Sequence, residues 1–227
     1  MPRKIIITGA SRGLGLIAAD AFEQEGWEVL RFDSKRMDFL NIDPNWMAGI
    51  PEDLEALIHC AGGGLGLRGP YLPASEFYKL FMVNLGGAAE INRIVAANMQ
   101  TNRKGYIVHI CSIASGEAVG SVGYNTVKTA LAGYVRSFGR VLAPFGVVVT
   151  GISPGGFIAP GNAMERLEAN NPGAYQEFIE NRLPRRFMGK AEELIPLLKF
   201  LCSPAASMMA GSVVPIDAGE AHYYSTP

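Results

Sequence analysis

A doubly wound α/β domain is the fold class this 227-residue chain predicts, with helices on both faces of a mostly parallel sheet of about seven strands. Three observations carry that prediction. Short apolar runs alternate with longer stretches of helical period along the whole chain. The first run passes directly into a glycine-rich turn that opens an amphipathic helix. No linker, internal repeat or low-complexity tract interrupts the alternation, so its six or seven β/α units read as one domain over 1–227.

The elements follow in order. Lys4 to Thr8 is an apolar strand closed by Gly9. Apolar residues at 14, 17, 18, 21 and 22 then form one helical face, and Gly26 stops that helix. A second strand runs from Glu28 to Phe32 and ends at Asp33. Residues 34–53, rich in Pro, Asp and Asn, read as a short or irregular crossover. The next strand lies within Leu54 to Cys60 and enters Ala61-Gly62-Gly63-Gly64. One long helical segment is predicted over about 74–101, and a buried strand from Gly105 to Ser112. Helical period returns over 123–143, before a strand at Val147–Ile152 that leads into Pro154-Gly155-Gly156. A helix at 191–202 precedes the last strand, Ser212 to Ile216. Residues 157–190 are polar and broken by Pro160, Pro172 and Pro184, which suits a mobile cover over a substrate.

Composition removes several function classes. An apolar fraction of 48% excludes a chain too polar to bury a core. Twenty basic against 21 acidic side chains argue against a nucleic-acid binder that works by neutralising phosphates. No apolar run approaches the roughly 18 residues a bilayer span needs. Ile5–Ile7 is too short for a signal-peptide core, and Cys60, Cys111 and Cys202 lie far apart without metal-ligand spacing. Reduced thiols in a cytoplasmic protein are therefore expected.

The turn Thr8-Gly9-Ala10-Ser11-Arg12-Gly13-Leu14-Gly15 has the context of a pyrophosphate cradle. Its glycines allow a tight turn and close backbone approach, and the helix N-terminus favours negative charge. Asp33 stands 20 residues beyond Gly13 at the end of the second strand, the spacing of an acid that binds a ribose diol. Such a carboxylate repels a 2′-phosphate, which favours NAD. Arg12, Lys35 and Arg36 keep NADP as the second choice.

Tyr124 and Lys128 stand at i and i+4 on one helical face. A phenol ionising near pH 10 is a poor acid–base group at neutrality, and a nearby cation favours its phenolate. Ser112, at a strand end, suits a donor to a carbonyl oxygen on which negative charge develops, or simply a turn cap. Asn84 falls inside the long helical segment, where it is a surface residue or a local break that binds water.

Together these residues resemble the short-chain dehydrogenase/reductase family along nearly the whole chain, its 3-oxoacyl-[acyl-carrier-protein] reductase-like members in particular. TGASRGLG at 8–15, HCAG at 59–62, VNLGG at 83–87, CS at 111–112, YNTVK at 124–128, SPG at 153–155 and VVPIDAG at 213–219 carry the likeness. The resemblance implies a Rossmann-type fold and hydride transfer between a nicotinamide cofactor and a carbonyl/secondary-alcohol pair. It makes Tyr124 the general acid/base, with Lys128 assisting it and binding the nicotinamide ribose. It makes Ser112 the carbonyl-polarising group and Asn84 the holder of a relay water. Cofactor contacts fall to Gly9, Ser11, Arg12, Gly13, Leu14, Gly15, Asp33, Ala61, Gly62, Pro154 and Gly155, with Asp38 on the adenine amine. A homotetramer or homodimer is also implied, with a small-molecule substrate and neither nucleic acid nor membrane as partner.

Departures from the family pattern are informative. His59 replaces the first Asn of NNAG, and His109 stands where an Asn often precedes the Ser. If strand order follows the family, the two histidines are close; a structural pair bonded to backbone outweighs a ligand or proton-shuttle role. Ala159 replaces a cofactor-binding Thr, which leaves nicotinamide orientation to backbone near Phe157. Arg182, Arg185 and Arg186 are surface charges or contacts for an anionic substrate. The readings from other classes are a non-catalytic dinucleotide-binding module and an epimerase or dehydratase on the same scaffold.

Overall fold

A computed structural model describes residues 2–33, 35–42, 45 and 49–222. The elements run β1 (Lys4–Thr8), α1 (Gly13–Gln24), β2 (Glu28–Phe32), β3 (Ala56–His59), α2 (Ala74–Phe81), α3 (Gly87–Asn102), β4 (Gly105–Ile110), α4 (Val122–Leu142), β5 (Val147–Pro154), β6 (Phe157–Ile158), α5 (Ala163–Asn170), α6 (Pro172–Arg182), β7 (Gly189–Lys190), α7 (Ile195–Leu201) and β8 (Val213–Ile216). The main sheet has the order β2-β1-β3-β4-β5-β8, with every pairing parallel. Strands buried on both faces explain the continuous apolar runs Ile5–Ile7 and Val147–Val149. One core packs Ile5, Ile7, Ile58 and Val108 against α1 and α7; the other packs Ile6, Leu57, Ile107 and Val149 against α3 and α4.

Among the described residues the main sheet has six strands where about seven are expected, and the difference has a local cause. Of the crossover 34–53, residues 34, 43, 44 and 46–48 lie outside the described residues. In the remainder, Asp33 and Asp38 hydrogen-bond the backbone N–H groups of Lys35, Arg36 and Leu40, which favours turns over a ladder. The edge is therefore β2. The segment predicted as one helix over 74–101 is interrupted by a π-helical turn at Met82–Gly86, between α2 and α3. The stretch 157–190 has more regular structure than its prolines suggest. Asn162 and Asn171 cap α5 and α6, and Pro172 sits in the first turn of α6, where its missing N–H costs nothing. β6 and β7 pair as a separate two-stranded ribbon. No helix among the described residues is long and apolar enough to cross a membrane.

The order β2-β1-β3 reverses the direction of winding at β1. Crevices at the carboxyl ends of strands open at such a reversal. The glycine turn after β1, Asp33 after β2 and Ala61–Gly63 after β3 all border it.

Candidate active site

The first turn is shaped by close backbone approach. Gly9 has φ +67°, and a Cβ there would come within 2.8 Å of the Ala61 amide nitrogen. A Cβ on Gly15 would collide with the Gly9 carbonyl oxygen. The Thr8 hydroxyl accepts from Ala61 N–H at 3.2 Å, so the turns after β1 and β3 are fastened together. Ser11 and Arg12 are exposed at the helix start, while Leu14 is buried beneath it. One donor of the cradle is engaged: Gly13 N–H donates to the Pro160 carbonyl at 2.7 Å. Asp33 uses Oδ1 to accept from Lys35 and Arg36 N–H groups at 3.0 and 3.1 Å. Arg36 stacks on Phe32, 4.2 Å from the ring centroid. Asp38 is exposed, and Leu40 N–H and the Asn41 carboxamide, donating to its two oxygens, hold its carboxyl below the usual range.

The catalytic candidates converge on Gly62. A Cβ there would sit 2.9 Å from Asn84 Oδ1 and 3.5 Å from Lys128 Nζ, so its bare Cα admits both. Lys128 is 4% exposed, and its ammonium donates to the Ile110 carbonyl at 2.8 Å. Its Nζ lies 5.6 Å from the centroid of the half-buried Tyr124 ring. Ser121 caps α4: its oxygen accepts from Tyr124 N–H at 3.4 Å, while its hydroxyl donates to Leu67 O at 3.0 Å. Ser112 caps the short turn that follows β4. Its oxygen accepts from Ala114 N–H at 3.1 Å, which leaves the hydroxyl hydrogen available to a ligand.

The Asn84 side chain is buried and bonded to backbone. Its carboxamide accepts from Gly63 N–H at 2.9 Å and donates to the carbonyls of Gly63 and Leu80 at 3.0 and 2.9 Å. It clamps the glycine loop to the π-helical turn. The histidines also differ in detail from the sequence reading. They are adjacent in register on β3 and β4 and stacked at 4.5 Å, but their partner is a side chain rather than backbone. His59 Nε2–H donates to Asn92 Oδ1 at 2.9 Å, and Asn92 Nδ2 donates to His109 Nε2 at 3.2 Å and to the Tyr134 hydroxyl at 3.1 Å. That orientation puts the His59 proton on Nε2 and the His109 proton on Nδ1. Burial keeps both rings neutral, with His59 lowered to about 4 and His109 well below its ordinary value.

Pro154 ends β5 opposite Ile216, and Gly155 N–H donates to Ile216 O at 3.3 Å. Phe157 is half-buried in β6, its carbonyl held by the Asn162 carboxamide at 2.8 Å; Ala159 is buried. The three arginines at and beyond the end of α6 are all engaged within the chain: Arg182 with Glu220, Arg185 with Glu193, and Arg186 with the Glu180 carbonyl.

Besides Asn92, two residues escaped the sequence reading. Asn125 donates to the carbonyls of Ala114 and Glu117 and accepts from Gly120 N–H, fixing the loop after Ser112 onto α4. Its position between Tyr124 and Lys128 was the available signal. Glu220 is a buried carboxylate beyond the last strand, and its sequence context looks like an ordinary exposed terminus.

A glycine-rich turn opening α1, an acid at the end of the second strand, Ser112 just past β4, and Tyr124 and Lys128 on one face of α4 are the features of a nicotinamide-dependent oxidoreductase. Comparison with known proteins agrees. A family model described as enoyl-(acyl carrier protein) reductase matches residues 47–220. Levodione reductase from Leifsonia aquatica is 31% identical, covering 98% of this chain and 95% of its own. The 3-oxoacyl-[acyl-carrier-protein] reductase MabA of Mycobacterium avium is 28% identical, over 96% of this chain and 89% of that one. The solved structure of the TT0495 protein from Thermus thermophilus superposes with a TM-score of 0.84 at 26% identity, covering 96% of this chain and 98% of that one. The chain belongs to the short-chain dehydrogenase/reductase family.

Proposed function

We propose that this chain is a carbonyl reductase (an alcohol dehydrogenase in reverse) that prefers NAD(H) to NADP(H) and uses Tyr124 as its proton donor and acceptor. The observation that carries the reading is the convergence of Lys128 and Asn84 on Gly62 with Tyr124 one helical turn from Lys128. When bound, the nicotinamide supplies or takes up the hydride. The protein's own residues do the rest. The Ser112 hydroxyl donates to the substrate carbonyl oxygen, stabilising the charge that develops there. The Tyr124 hydroxyl delivers the proton to that oxygen, and in oxidation takes it back. The buried Lys128 ammonium stands on the same helical face, 5.6 Å from the centroid of the Tyr124 ring. A relay water is assigned to backbone of the π-helical turn, because the Asn84 carboxamide is already bonded to protein.

The remaining cofactor residues fit the same reading. The Gly9–Gly15 turn takes the pyrophosphate, with Arg12 and Ser11 at its rim. Asp33 Oδ2 and the lone pairs left on Oδ1 accept from the ribose hydroxyls. Asp38 retains lone pairs for an adenine amine, and Ala61, Gly62, Pro154, Gly155 and Phe157 border the nicotinamide side. Three free thiols support a cytoplasmic location. Exposed Tyr78 and Phe81 on α2, with Val122 and Val141 on α4, support a homotetramer or homodimer; a monomer by light scattering would contradict it.

Tyr124→Phe tests the assignment. Turnover of a ketone panel should fall by about a thousandfold or more, with NADH affinity changed by no more than about threefold. Undiminished turnover would exclude Tyr124 as the acid.

A further inference from the structure

The Pro154–Gly156 turn is held on three sides. Gly155 N–H bonds β8, and the Gly156 carbonyl accepts from Gly189 N–H of β7 at 3.2 Å. Gly156 N–H donates to Oε2 of Glu220 at 2.5 Å. The other carboxylate oxygen of Glu220 meets Arg182 Nη2, at the last residue of α6, at 3.3 Å. Glycine makes room for this arrangement, since a Cβ on Gly155 would lie 2.6 Å from Glu220 Oε2. The neighbouring Ala221 N–H donates to Asp217, and His222 N–H donates to Glu117 on the loop that follows Ser112. One 3%-exposed side chain thus joins the turn bordering the nicotinamide side to the far end of the substrate cover.

The electrostatics oppose a purely structural purpose. Burial, with smaller contributions from Asp217 and Glu117, pushes the Glu220 carboxyl above the usual range, against the Gly156 N–H and Arg182 that lower it. A carboxylate whose folded pKa is raised favours folding below that value and disfavours it as pH rises through it. The buried Glu220 carboxylate therefore carries a stability cost at neutral pH. Neutral groups of the same shape fill such places without that cost.

We propose that Glu220 is a positioning residue of the reaction: its carboxylate latches α6 of the substrate cover to the Gly156 turn and so fixes the pose of the carbonyl substrate. The inference rests on the reductase reading for its substrate, but the latch itself can be read without turnover.

Glu220→Gln keeps an oxygen for Gly156 N–H and removes the charge that holds Arg182. At neutral pH its Tm should equal or exceed that of the wild type, and NADH affinity should stay within about threefold, while substrate KM rises about tenfold. Limited proteolysis of the free protein should cut within 157–190 faster than in the wild type. Arg182→Met should reproduce both effects, and the double variant should add little, as partners in one interaction do. A lowered Tm with unchanged KM and unchanged cutting would make Glu220 a structural residue and overturn the proposal. If the wild type binds NADH but reduces no ketone, the reductase reading fails, and the cutting rates alone still decide the latch.

Discussion

Asp33 Oδ1 builds the turn after β2, and the ribose is the proposed partner of its Oδ2. Asp33→Ala should lower the NAD-over-NADP ratio of kcat/KM by about tenfold or more. Asp33→Asn, which keeps the turn acceptor, should lower it as well; an unchanged ratio in both would remove Asp33 from cofactor choice. The histidine pair behaves oppositely to a functional acid–base group. Both folded pKa values are depressed, that of His59 to about 4, so from about 6.5 downward the unfolded chain binds more protons. Stability is fully present above about 6.5 and is lost as the pH falls below it, by up to about 1.4 kcal/mol per pH unit for each histidine. His109→Asn should flatten that slope in denaturant titrations; an unaltered slope would mean the rings are solvated. Sequence reading singled out Ser112, Tyr124 and Lys128 because the chemistry proposed for them is tied to spacing and strand ends. It missed the Asn92 bridge because a carboxamide on α3 finds its histidines only through packing across β3 and β4.

At the scale of elements, apolar periodicity located every strand of the main sheet to within two residues, since strands buried on both faces leave an unmistakable mark. It did not disclose the π-helical turn. One extra residue in a turn leaves hydrophobic period almost untouched, and only Asn84 followed by two glycines hinted at a break. Nor did it give α5 and α6, whose caps are local but whose apolar faces are too sparse to register. The loop after Ser112 depends on Asn125, which makes three hydrogen bonds to it. Asn125→Ala should destabilise the protein by about 2–3 kcal/mol in chemical denaturation and lower kcat more than cofactor affinity. Wild-type kcat alongside reduced stability would show that the loop holds Ser112 unaided.

For the whole molecule, the doubly wound order was legible because alternating β and α segments leave few right-handed arrangements. The exact strand number was not, because Asp33 and Asp38 cap turns at the start of the crossover that no periodicity reports. The candidate site draws its residues from the ends of β1, β2, β3, β4 and β5 and from α4, so the assembly proposed for it depends on the register of the sheet as a unit. The central claim is that this assembled crevice moves a hydride to a carbonyl carbon with Tyr124 supplying the proton. Transfer of label from NADH fully deuterated at C4 into a ketone panel, read by mass spectrometry of the alcohols, tests that most directly. The wild type should place deuterium on the carbinol carbon, and Tyr124→Phe at equal NADH occupancy should place almost none. Saturating NADH with no labelled alcohol from any ketone, or equal labelling by both proteins, would contradict it.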